Sequence, residues 1–345
     1  MLRWMLEMNV PTGYFFCRIC FTRNMVSPTV HIPVLLREVI HWSGLERETT
    51  ESRTVVDGTL GGGGHAWHLI EALQPRDFFI GIDRDAAAID RVNELFDRLL
   101  PPNKEPDLCN PAKPDEAIRS TCRIRLIQSS YKDLPSLMVD HAIPKADCIL
   151  LDLGLSSDQL EDTSRGFSFR TGGTLDLRFC TEEGISASDL LAKIDEKELA
   201  DIIYQFGEER FSRRIARAIV ERRRHSPVRT AEDLADLVHR CVPGGKIHGR
   251  IDSATRTFQA LRIAVNNELE HLKAAIERLP DCLAPGGRLL VISFHSLEDR
   301  IVKHAMRECA QLQVLTKKPV LPSDSESYEN PRSRSAKLRV AERVS

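Results

Sequence analysis

A run of glycines follows a short β-branched segment and is flanked by an acid and a histidine. It reads Asp57-Gly-Thr-Leu-Gly-Gly-Gly-Gly-His65. Consecutive glycines let the backbone pass close to a ligand, and amides at the start of a following helix point into such a site. A second acid, Asp83, ends the next apolar run about 20 residues further on, where a carboxylate can accept hydrogen bonds from both ribose hydroxyls of a nucleoside. Together these residues predict a binding site for a nucleoside-containing ligand.

This glycine pattern leaves two ligands open, a nicotinamide dinucleotide and S-adenosylmethionine. It lacks the G-x-G-x-x-G spacing of dinucleotide sites, which counts against the first ligand. The acid that closes the strand before the glycines, Asp57, suits the cationic amino acid end of the methyl donor. A tight turn without any ligand needs fewer successive glycines than this segment has, so that third interpretation is the weakest.

Another acid, Asp152, ends the apolar run Ala146–Leu153 and is followed closely by Ser156 and Ser157. The exocyclic amino group of cytosine or adenine is a poor nucleophile because its lone pair is delocalised into the ring. A hydrogen-bond acceptor on the N–H localises that lone pair and orients it towards a methyl donor. Asp152 is therefore the catalytic candidate. Contact with the methyl donor and capping of the following segment are its alternative roles.

Other polar residues have weaker claims to chemistry. Ser293 and His295 follow an apolar run and are candidates for the acceptor pocket, with a structural role equally open. They do not predict a nucleophile pair, because methyl transfer needs no covalent enzyme intermediate and the chain has no G-x-S-x-G turn. His65 and His68 lie three residues apart without a third metal ligand nearby in the sequence, so no metal is predicted. His65 is interpreted as a contact to the cofactor or to the backbone.

Short apolar strands alternate with helices along the first half of the chain, and these strands must carry the acids. Four runs are predicted as strands: 53–57, 78–83, 123–128 and 146–153. The helical segments between them indicate a parallel sheet covered on both faces. Right-handed crossovers then bring the loops after the strands together at one edge. The predicted fold class is α/β, with a doubly wound, mainly parallel sheet.

The alternation resumes in the last third of the chain. An apolar stripe over 258–279 predicts one long helix. It leads into a fifth strand over 288–294 and a helix near 297–309. The segments 312–318 and 336–343 are predicted to pair as a terminal hairpin.

The chain between the fourth strand and that long helix is mainly helical, which divides the protein into parts. Residues 157–250 are predicted as an inserted helical domain that recognises the substrate. The core then comprises residues 30–156 and 251–345. Residues 1–29 form an extension for which we favour a translation start at Met25, with a weak transit peptide as the alternative.

Composition excludes some classes of protein. The chain has 345 residues and a formal net charge of −2. No run approaches the ~20 apolar residues of a membrane span, so no membrane partner is expected. Nine cysteines are scattered, and only Cys17 and Cys20 have metal-ligand spacing, which predicts reduced thiols in a cytoplasmic protein and no zinc site. The Pro-rich segment 101–121 is interpreted as a surface excursion.

The charges are unevenly distributed along the chain. Acidic residues outnumber basic ones over 1–204, whereas basic residues outnumber acidic ones over 205–262. Seven arginines cluster in the basic part: Arg210, Arg213, Arg214, Arg217, Arg222, Arg223 and Arg224. A second basic cluster consists of Arg332, Arg334, Lys337 and Arg339. These clusters are interpreted as contacts to nucleic acid phosphates or as solvated faces.

The ordered motifs of the chain resemble those of the RsmH/MraW family, the ribosomal small-subunit RNA cytosine-N4 methyltransferases. The matching segments are His31–Leu36, Asp57–His65, Asp83–Asp85, Leu150–Ser157, Gln159–Leu160, Arg165–Phe169, Leu175–Arg178, Ser293–Arg300 and Asn330–Arg339. So many segments in the same order make coincidence implausible.

This resemblance implies a class I, Rossmann-like S-adenosylmethionine-dependent methyltransferase with an inserted helical domain. It implies methyl transfer to N4 of a cytidine in the decoding region of 16S ribosomal RNA, within an assembled or nearly assembled small subunit. By motif position, the residues that bind the donor are Gly63, Gly64, His65, Asp83, Tyr131, Asp152 and Gln159. Tyr131 stands where relatives often carry phenylalanine, and this change preserves an aromatic face for adenine.

Other functions remain open at this point. An amino-methylase that acts on another RNA or on DNA would use the same site. A non-catalytic ribosome-assembly factor with this fold would have no use for an intact glycine loop and Asp83. An NAD-dependent oxidoreductase would bind a nicotinamide cofactor in place of the methyl donor.

Overall fold

The computed structural model describes residues 32–47, 49–99, 116–118, 122–168, 173–243 and 252–344. The predicted extension over 1–29 and most of the Pro-rich segment 101–121 lie outside these ranges. Within them, eight strands form one sheet. The strands are β1 (Thr54–Asp57), β2 (Phe78–Asp83), β3 (Glu116–Ile118), β4 (Arg123–Gln128), β5 (Ala146–Asp152), β6 (Leu283–Ser293), β7 (Leu312–Val314) and β8 (Lys337–Arg343). The helices are α1 (Leu36–Ser43), α2 (Gly64–Glu71), α3 (Ala86–Leu99), α4 (Leu134–Asp140), α5 (Ser157–Glu161), α6 (Ala187–Lys193), α7 (Glu196–Gly207), α8 (Ser212–Arg223), α9 (Ala231–Cys241), α10 (Ala254–Asn266), α11 (Glu268–Arg278), α12 (Ser296–Glu308) and α13 (Asp324–Glu329).

Five parallel strands form the centre of the sheet, whose order is β3–β4–β2–β1–β5–β6–β8–β7. At its edges β3 runs antiparallel to β4, and β8 runs antiparallel to both β6 and β7. From β1 the chain moves outward to β2 and β4, and then returns to place β5 on the other side of β1. Ligands bind at the carboxyl ends of the strands at such a reversal. The doubly wound, mainly parallel sheet expected from the sequence is confirmed.

The strands on either side of β1 continue past its end. Asp57, the last residue of β1, pairs with Gly81 of β2 and with Leu150 of β5. Those neighbours end two residues later, at Asp83 and Asp152. With a rise of about 3.3 Å per residue, each neighbour projects about 7 Å beyond β1. The two carboxyl groups therefore flank a notch, and the glycine loop that follows β1 fills its floor.

The predicted strands and the terminal hairpin are confirmed, with differences in extent. β6 starts earlier than the predicted 288, because the chain at Leu283 already pairs with Ala146 of β5 before a bulge. β3 was not expected from the sequence. It comes from the end of the Pro-rich segment and adds a short edge strand to the sheet.

The single long helix expected over 258–279 is wrong, because the structure has two helices there. Asn267 lies between α10 and α11 with a φ of 51°, in the left-handed region. The apolar stripe runs through both helices because each buries one face, but against different partners. Phe258 of α10 packs among the other helices, whereas Leu272 of α11 packs against the sheet.

Among the described residues, three clusters of buried apolar side chains stabilise the protein. Two lie on opposite faces of the sheet, as the neighbours Val55 and Val56 show by belonging to different clusters. The third joins α6–α10, which we call the helical unit, and it includes Phe258. Because α10 belongs to this cluster, we propose that the unit extends past the expected boundary at residue 250 as far as Asn266. None of the described helices has the length and apolar character that crossing a membrane requires.

Asn266 connects the end of the helical unit to the chain that precedes α6 through side-chain hydrogen bonds. Its Oδ1 accepts a hydrogen bond from Phe179 N, and its Nδ2 donates one to the Leu177 carbonyl, both at 2.7 Å. Leu177 is buried and has a φ of 62°, which is strained for a branched side chain. Asn266 therefore supplies two of the hydrogen bonds that hold this strained turn in place.

A buried ion pair makes a second connection between the sheet and the chain before α6. Arg165 Nη1 donates to Asp85 Oδ2 at 2.5 Å, and Nη2 donates to the Phe179 carbonyl at 2.7 Å. Asp85 also accepts from Ala87 N at 3.1 Å, at the start of α3. The same carboxylate thus anchors α3 and the segment that leads into the helical unit.

Asn266→Ala tests the first connection. We expect the free energy of unfolding to fall by about 2–4 kcal/mol, because the buried Phe179 N–H and Leu177 carbonyl both lose their partners. Denaturant unfolding followed by circular dichroism measures the change. The matched control is Asn267→Gly, which keeps the left-handed turn and should alter stability by no more than about 0.5 kcal/mol. Equal stability of the two variants would contradict the role of Asn266.

Candidate active site

A cavity of about 470 Å³ opens at the carboxyl edge of the sheet, above the notch at the end of β1. Each of the five parallel strands contributes to its wall. Representative lining residues are Gly61 after β1, Asp83 at the end of β2, Tyr131 after β4, Asp152 at the end of β5 and Phe294 after β6. The volume lies in the range of pockets that enclose a nucleoside-sized ligand.

The backbone of the glycine loop lines the cavity, except at one of its glycines. Gly61 and Gly64 line the cavity, whereas Gly63, which was expected to bind the donor, does not. Gly63 has a φ of 76° and begins the turn into α2, where a Cβ would lie 3.1 Å from Val92. A Cβ on Gly64 would lie 2.7 Å from Pro33, which leaves no room for a side chain. Gly61, absent from the predicted site, faces the cavity with a φ of 50°.

Asp83 orients the glycine loop and also faces the cavity. Its Oδ2 accepts a hydrogen bond from Gly61 N at 2.8 Å, and its Oδ1 accepts one from Asp85 N at 2.9 Å. Burial raises the pKa of the carboxyl, and the two amide contacts act in the opposite direction. Each oxygen keeps a second lone pair that a ribose hydroxyl can use. The contact of Asp83 with a ribose stays a prediction.

Asp57 supports the loop from beneath. It is almost fully buried and accepts a hydrogen bond from Thr59 N at 3.0 Å. Burial raises its pKa to about 7. Asp57 does not line the cavity, and its contact with a cationic ligand group stays a prediction. The Thr59 hydroxyl accepts a hydrogen bond from Asp152 N at 2.6 Å, which ties the loop to the end of β5.

Asp152 projects into the cavity from the end of β5. Its side chain is 25% exposed, yet Oδ1 is enclosed and has no hydrogen-bond partner. The exposed part is therefore Oδ2 with the methylene group. Oδ2 lies 3.5 Å from Nδ1 of His65. Burial raises the pKa of Asp152 well above its usual range, and the nearby carboxyl groups of Asp57 and Glu298 add to this effect.

His65 lies on the first turn of α2, between the chain before α1 and Asp152. Its Nε2 is 2.8 Å from the carbonyl oxygen of Val34. A carbonyl oxygen can only accept, so Nε2 carries the ring hydrogen and Nδ1 keeps its lone pair towards Asp152. Burial lowers the pKa of His65 to about 4, so the ring is neutral at pH 7. The expected backbone contact is confirmed, and contact with the donor stays a prediction.

The second histidine of α2 takes no part in the cavity wall. His68 Nδ1 lies 3.0 Å from Oε2 of Glu71, one turn further along the same helix. Among the described residues, no three His, Cys, Asp or Glu side chains come together as a metal site requires.

Tyr131 and Gln159, the other residues expected to bind the donor, both line the cavity. Tyr131 opens a short 3₁₀ turn after β4, and burial raises the pKa of its hydroxyl. Gln159 forms a capping box with Ser156: Oε1 accepts from Ser156 N at 3.1 Å, and Gln159 N donates to the Ser156 hydroxyl at 3.2 Å. The Gln159 side chain therefore orients the turn after β5, and its contact with the donor stays a prediction.

The loop after β6 contributes different residues from those expected. Ser293 is buried with its hydroxyl directed at the Lys337 carbonyl, and His295 caps the start of α12. Both thus make structural contacts, and neither lines the cavity. Phe294 and Glu298 line the cavity in their place. Burial opposes ionisation of Glu298, but His295 and the nearby Arg262 hold its pKa below the usual value.

Sequence reasoning also missed an ion pair at the cavity wall. Arg262 donates from Nε and Nη2 to the two carboxylate oxygens of Glu268, at 2.8 and 2.9 Å, and both side chains are largely buried. Glu268 lines the cavity. The available signal was a pair of opposite charges inside an apolar helical stripe, on either side of Asn267.

The arginines of the basic segment do not form one uniform surface. Arg222 pairs with Asp233, and Arg223 donates to the Leu191 and Ile194 carbonyls at the end of α6. These two contacts stabilise the helical unit from within. The exposed arginines at and around α8 are Arg210, Arg213, Arg214, Arg217 and Arg224. Of the two clusters expected from the sequence, this exposed set is the larger candidate for phosphate contact.

The second basic cluster is also divided between structural and cavity positions. Arg339 is buried and donates to Asp299 at 2.6 Å, and Lys337 lies 3.7 Å from the same carboxylate. Arg334 donates to the Ser327 carbonyl. Arg332 lines the cavity.

Comparison with known proteins assigns the chain to a family. A model described as the MraW methylase family matches residues 28–344. A protein of Rhodopirellula baltica named ribosomal RNA small subunit methyltransferase H is 46% identical over 93% of this chain and 94% of its own length. Proteins with the same name from Deinococcus deserti and Anaplasma marginale are 45% and 41% identical over 91% of this chain, and over 94% and 99% of their own lengths. With a match over nearly its whole length, the chain belongs to the MraW methylase family.

Proposed function

We propose that this chain transfers the methyl group of S-adenosylmethionine to the exocyclic N4 of a cytidine in the decoding region of 16S ribosomal RNA. The observation that carries the proposal is the placement of Asp83 and Asp152 on opposite sides of the glycine loop, in one cavity. One carboxyl suits the ribose of the donor, and the other suits the amine that accepts the methyl group. The names of the relatives support ribosomal RNA of the small subunit as the substrate.

The residues of the cavity fit S-adenosylmethionine. The backbone at Gly61 and Gly64 lines the cavity, so a ligand can approach the glycine loop closely. Asp83 is held by two amides so that its free lone pairs are available to ribose hydroxyls. Tyr131 and Leu272 add an aromatic and an aliphatic surface for the adenine. The bound donor supplies a methyl group that its sulfonium charge activates for displacement.

Asp152 supplies what an aromatic amine lacks as a nucleophile. Its Oδ2 is the carboxyl oxygen that reaches the cavity, and it can accept a hydrogen bond from the N4–H group. That contact localises the nitrogen lone pair and aims it at the methyl group. The amide of Asp152 is held by Thr59 at 2.6 Å, so the side chain starts from a defined position. Direct displacement needs no covalent enzyme intermediate.

We place the RNA backbone along the exposed arginines of α8, within an assembled or nearly assembled small subunit. Arg213 and Arg217 lie one turn apart on the solvent side of α8, so both can meet one phosphate strand. The described cysteines at 148, 180, 241, 282 and 309 are thiols, which supports a reducing compartment, for which we propose the cytoplasm.

Nucleoside mass spectrometry of small-subunit RNA tests the function. Small subunits from a strain without the gene, incubated with the purified chain and the donor, should gain N4-methylcytidine at one decoding-region position. Asp152→Ala should lower the methylation rate by about 10²–10⁴-fold, because the amine loses the group that orients it. Asp140→Ala, a change at an exposed acid on α4, is the matched control. Methyl groups on adenine or on DNA alone would contradict the substrate, and a wild-type rate for Asp152→Ala would remove that residue from the mechanism.

Donor binding is tested separately by calorimetry. Asp83→Asn keeps the shape of the side chain but replaces one acceptor oxygen with a donor group, so both the ribose contact and one loop amide are affected. We expect the affinity for S-adenosylmethionine to fall by about 10–100-fold, which corresponds to the loss of one or two hydrogen bonds to a charged group. Asp90→Asn, at an exposed acid on α3, should bind as the wild type does. An unchanged affinity for Asp83→Asn would exclude the ribose contact.

The RNA surface is tested by reversing two exposed charges. Arg213→Glu with Arg217→Glu should weaken binding to the small subunit by about tenfold or more, and should lower the salt dependence of log K by about one per lost phosphate contact. Donor binding should not change. The control, Lys273→Glu with Arg278→Glu on α11, makes the same charge change at exposed positions of the core. Equal losses in both double variants would mean that net charge alone is responsible.

A further inference from the structure

We infer that His65 is the final acceptor of the proton that the amine loses, and that Asp152 passes this proton on without keeping it. The inference deepens the proposed function and rests on it, since it concerns how methyl transfer to an aromatic amine is completed. The observations behind it are the fixed tautomer of His65, the enclosed Oδ1 of Asp152, and the approach of Oδ2 to Nδ1.

The orientation of the His65 ring is determined by a carbonyl that cannot move freely. Val34 O receives Nε2–H at 2.8 Å. The segment around Val34 is itself held at both ends: Leu35 N donates to Glu326 Oε1 at 2.7 Å, and Asn330 Nδ2 donates to the Ile32 carbonyl at 2.9 Å. The ring nitrogen left without hydrogen, Nδ1, therefore points at Asp152 in a defined geometry.

The surroundings of Asp152 favour a neutral carboxyl group in the resting enzyme. Oδ1 is enclosed without a hydrogen-bond partner, and an unpaired charged oxygen in that position costs far more than an unpaired neutral one. The carboxyl groups of Asp57 and Glu298 lie near enough to disfavour a further negative charge on Asp152. The proton then sits on Oδ2, which faces the lone pair of Nδ1. The present 3.5 Å separation exceeds a formed hydrogen bond, and such contacts shorten when substrate binds.

These positions define a balanced sequence of bond changes. Methyl transfer breaks the bond between sulfur and the methyl carbon and forms the bond between that carbon and N4. N4 then carries a positive charge and one proton in excess. This proton moves to Oδ2 of Asp152 while the proton already on Oδ2 moves to Nδ1 of His65. Asp152 ends neutral, as it began, and His65 ends as a cation that later releases its proton to solvent.

The low basicity of His65 suits this role. A protonated aromatic amine holds its extra proton weakly, so a base whose pKa is lowered to about 4 is strong enough to take it. The same low pKa makes the imidazolium release the proton readily before the next turnover.

His65→Gln separates the relay from a purely structural role, because glutamine can keep a donor towards Val34 but has no group equivalent to Nδ1. Single-turnover methylation of small subunits at saturating donor should be about 10²-fold slower near neutral pH than in the wild type. The wild-type rate should be flat between about pH 6 and about pH 9, whereas the variant rate should rise with pH, because ionised Asp152 must then take the proton itself. Calorimetry sets the donor concentration that saturates each variant, so that a change in donor affinity does not enter the measured rate. His68→Gln, on the same helix, is the control and should behave as the wild type.

A variant rate within about twofold of the wild type, or a slower rate with a flat pH profile, would overturn the relay. Nitrogen-15 NMR of the wild-type histidines gives a test that does not depend on the folding of any variant. It should show His65 as the neutral Nε2–H tautomer, and an Nδ1–H or doubly protonated ring at pH 7 would refute the inference. If the wild type does not methylate cytosine N4, the proposed function fails as well. An active wild type with an unchanged variant removes only the relay.

Discussion

The geometry of the site depends on the register by which β1 ends two residues before its neighbours on both sides. If the strands ended level, Asp83 and Asp152 would lie beside the last residue of β1 and the loop after it would have to pass above them. The offset leaves a recess in which the glycine loop lies between the two carboxyl groups. Hydrogen bonds from both sides hold the loop, among them those from Gly61 N to Asp83 and from Asp152 N to the Thr59 hydroxyl.

The two carboxyl groups share one cavity, and burial raises the pKa of both, but their hydrogen bonds differ. Asp83 receives two backbone amides, which partly oppose the effect of burial on its pKa. Asp152 receives none on its carboxyl oxygens and lies near two further acids, Asp57 and Glu298. These different hydrogen bonds suit the different roles that we propose for the two groups, contacts to hydroxyls for Asp83 and proton transfer for Asp152. The difference comes from strand ends and loop amides and not from the residue type, which is aspartate in both cases.

Sequence patterns could locate these acids because each one closes an apolar run, and the strand order followed from the alternation with helices. Sequence patterns could not tell which glycines line the cavity. Gly61 lines it and Gly63 does not, and the two differ only in the direction that their backbone faces. Sequence patterns also treated Arg223 as one more surface arginine, because its carbonyl partners lie on α6, far away in the sequence. The break at Asn267 also could not be predicted from the apolar stripe. The stripe continues through it because α10 buries its apolar face among the other helices and α11 buries its apolar face against the sheet.

The Arg262–Glu268 pair explains how a helical unit with its own core keeps a fixed position relative to the cavity. Arg262 belongs to α10 in the helical unit, Glu268 belongs to α11 in the core, and the pair is largely buried. Separating the two would leave an unpaired buried charge on each side, which typically costs about 3–5 kcal/mol. Asn266 makes the neighbouring contacts to the turn before α6, so a rotation of the unit would break both sets at once. Glu268 also lines the cavity. The Arg262–Glu268 pair therefore positions the helical unit, with its exposed arginines, relative to the cavity wall.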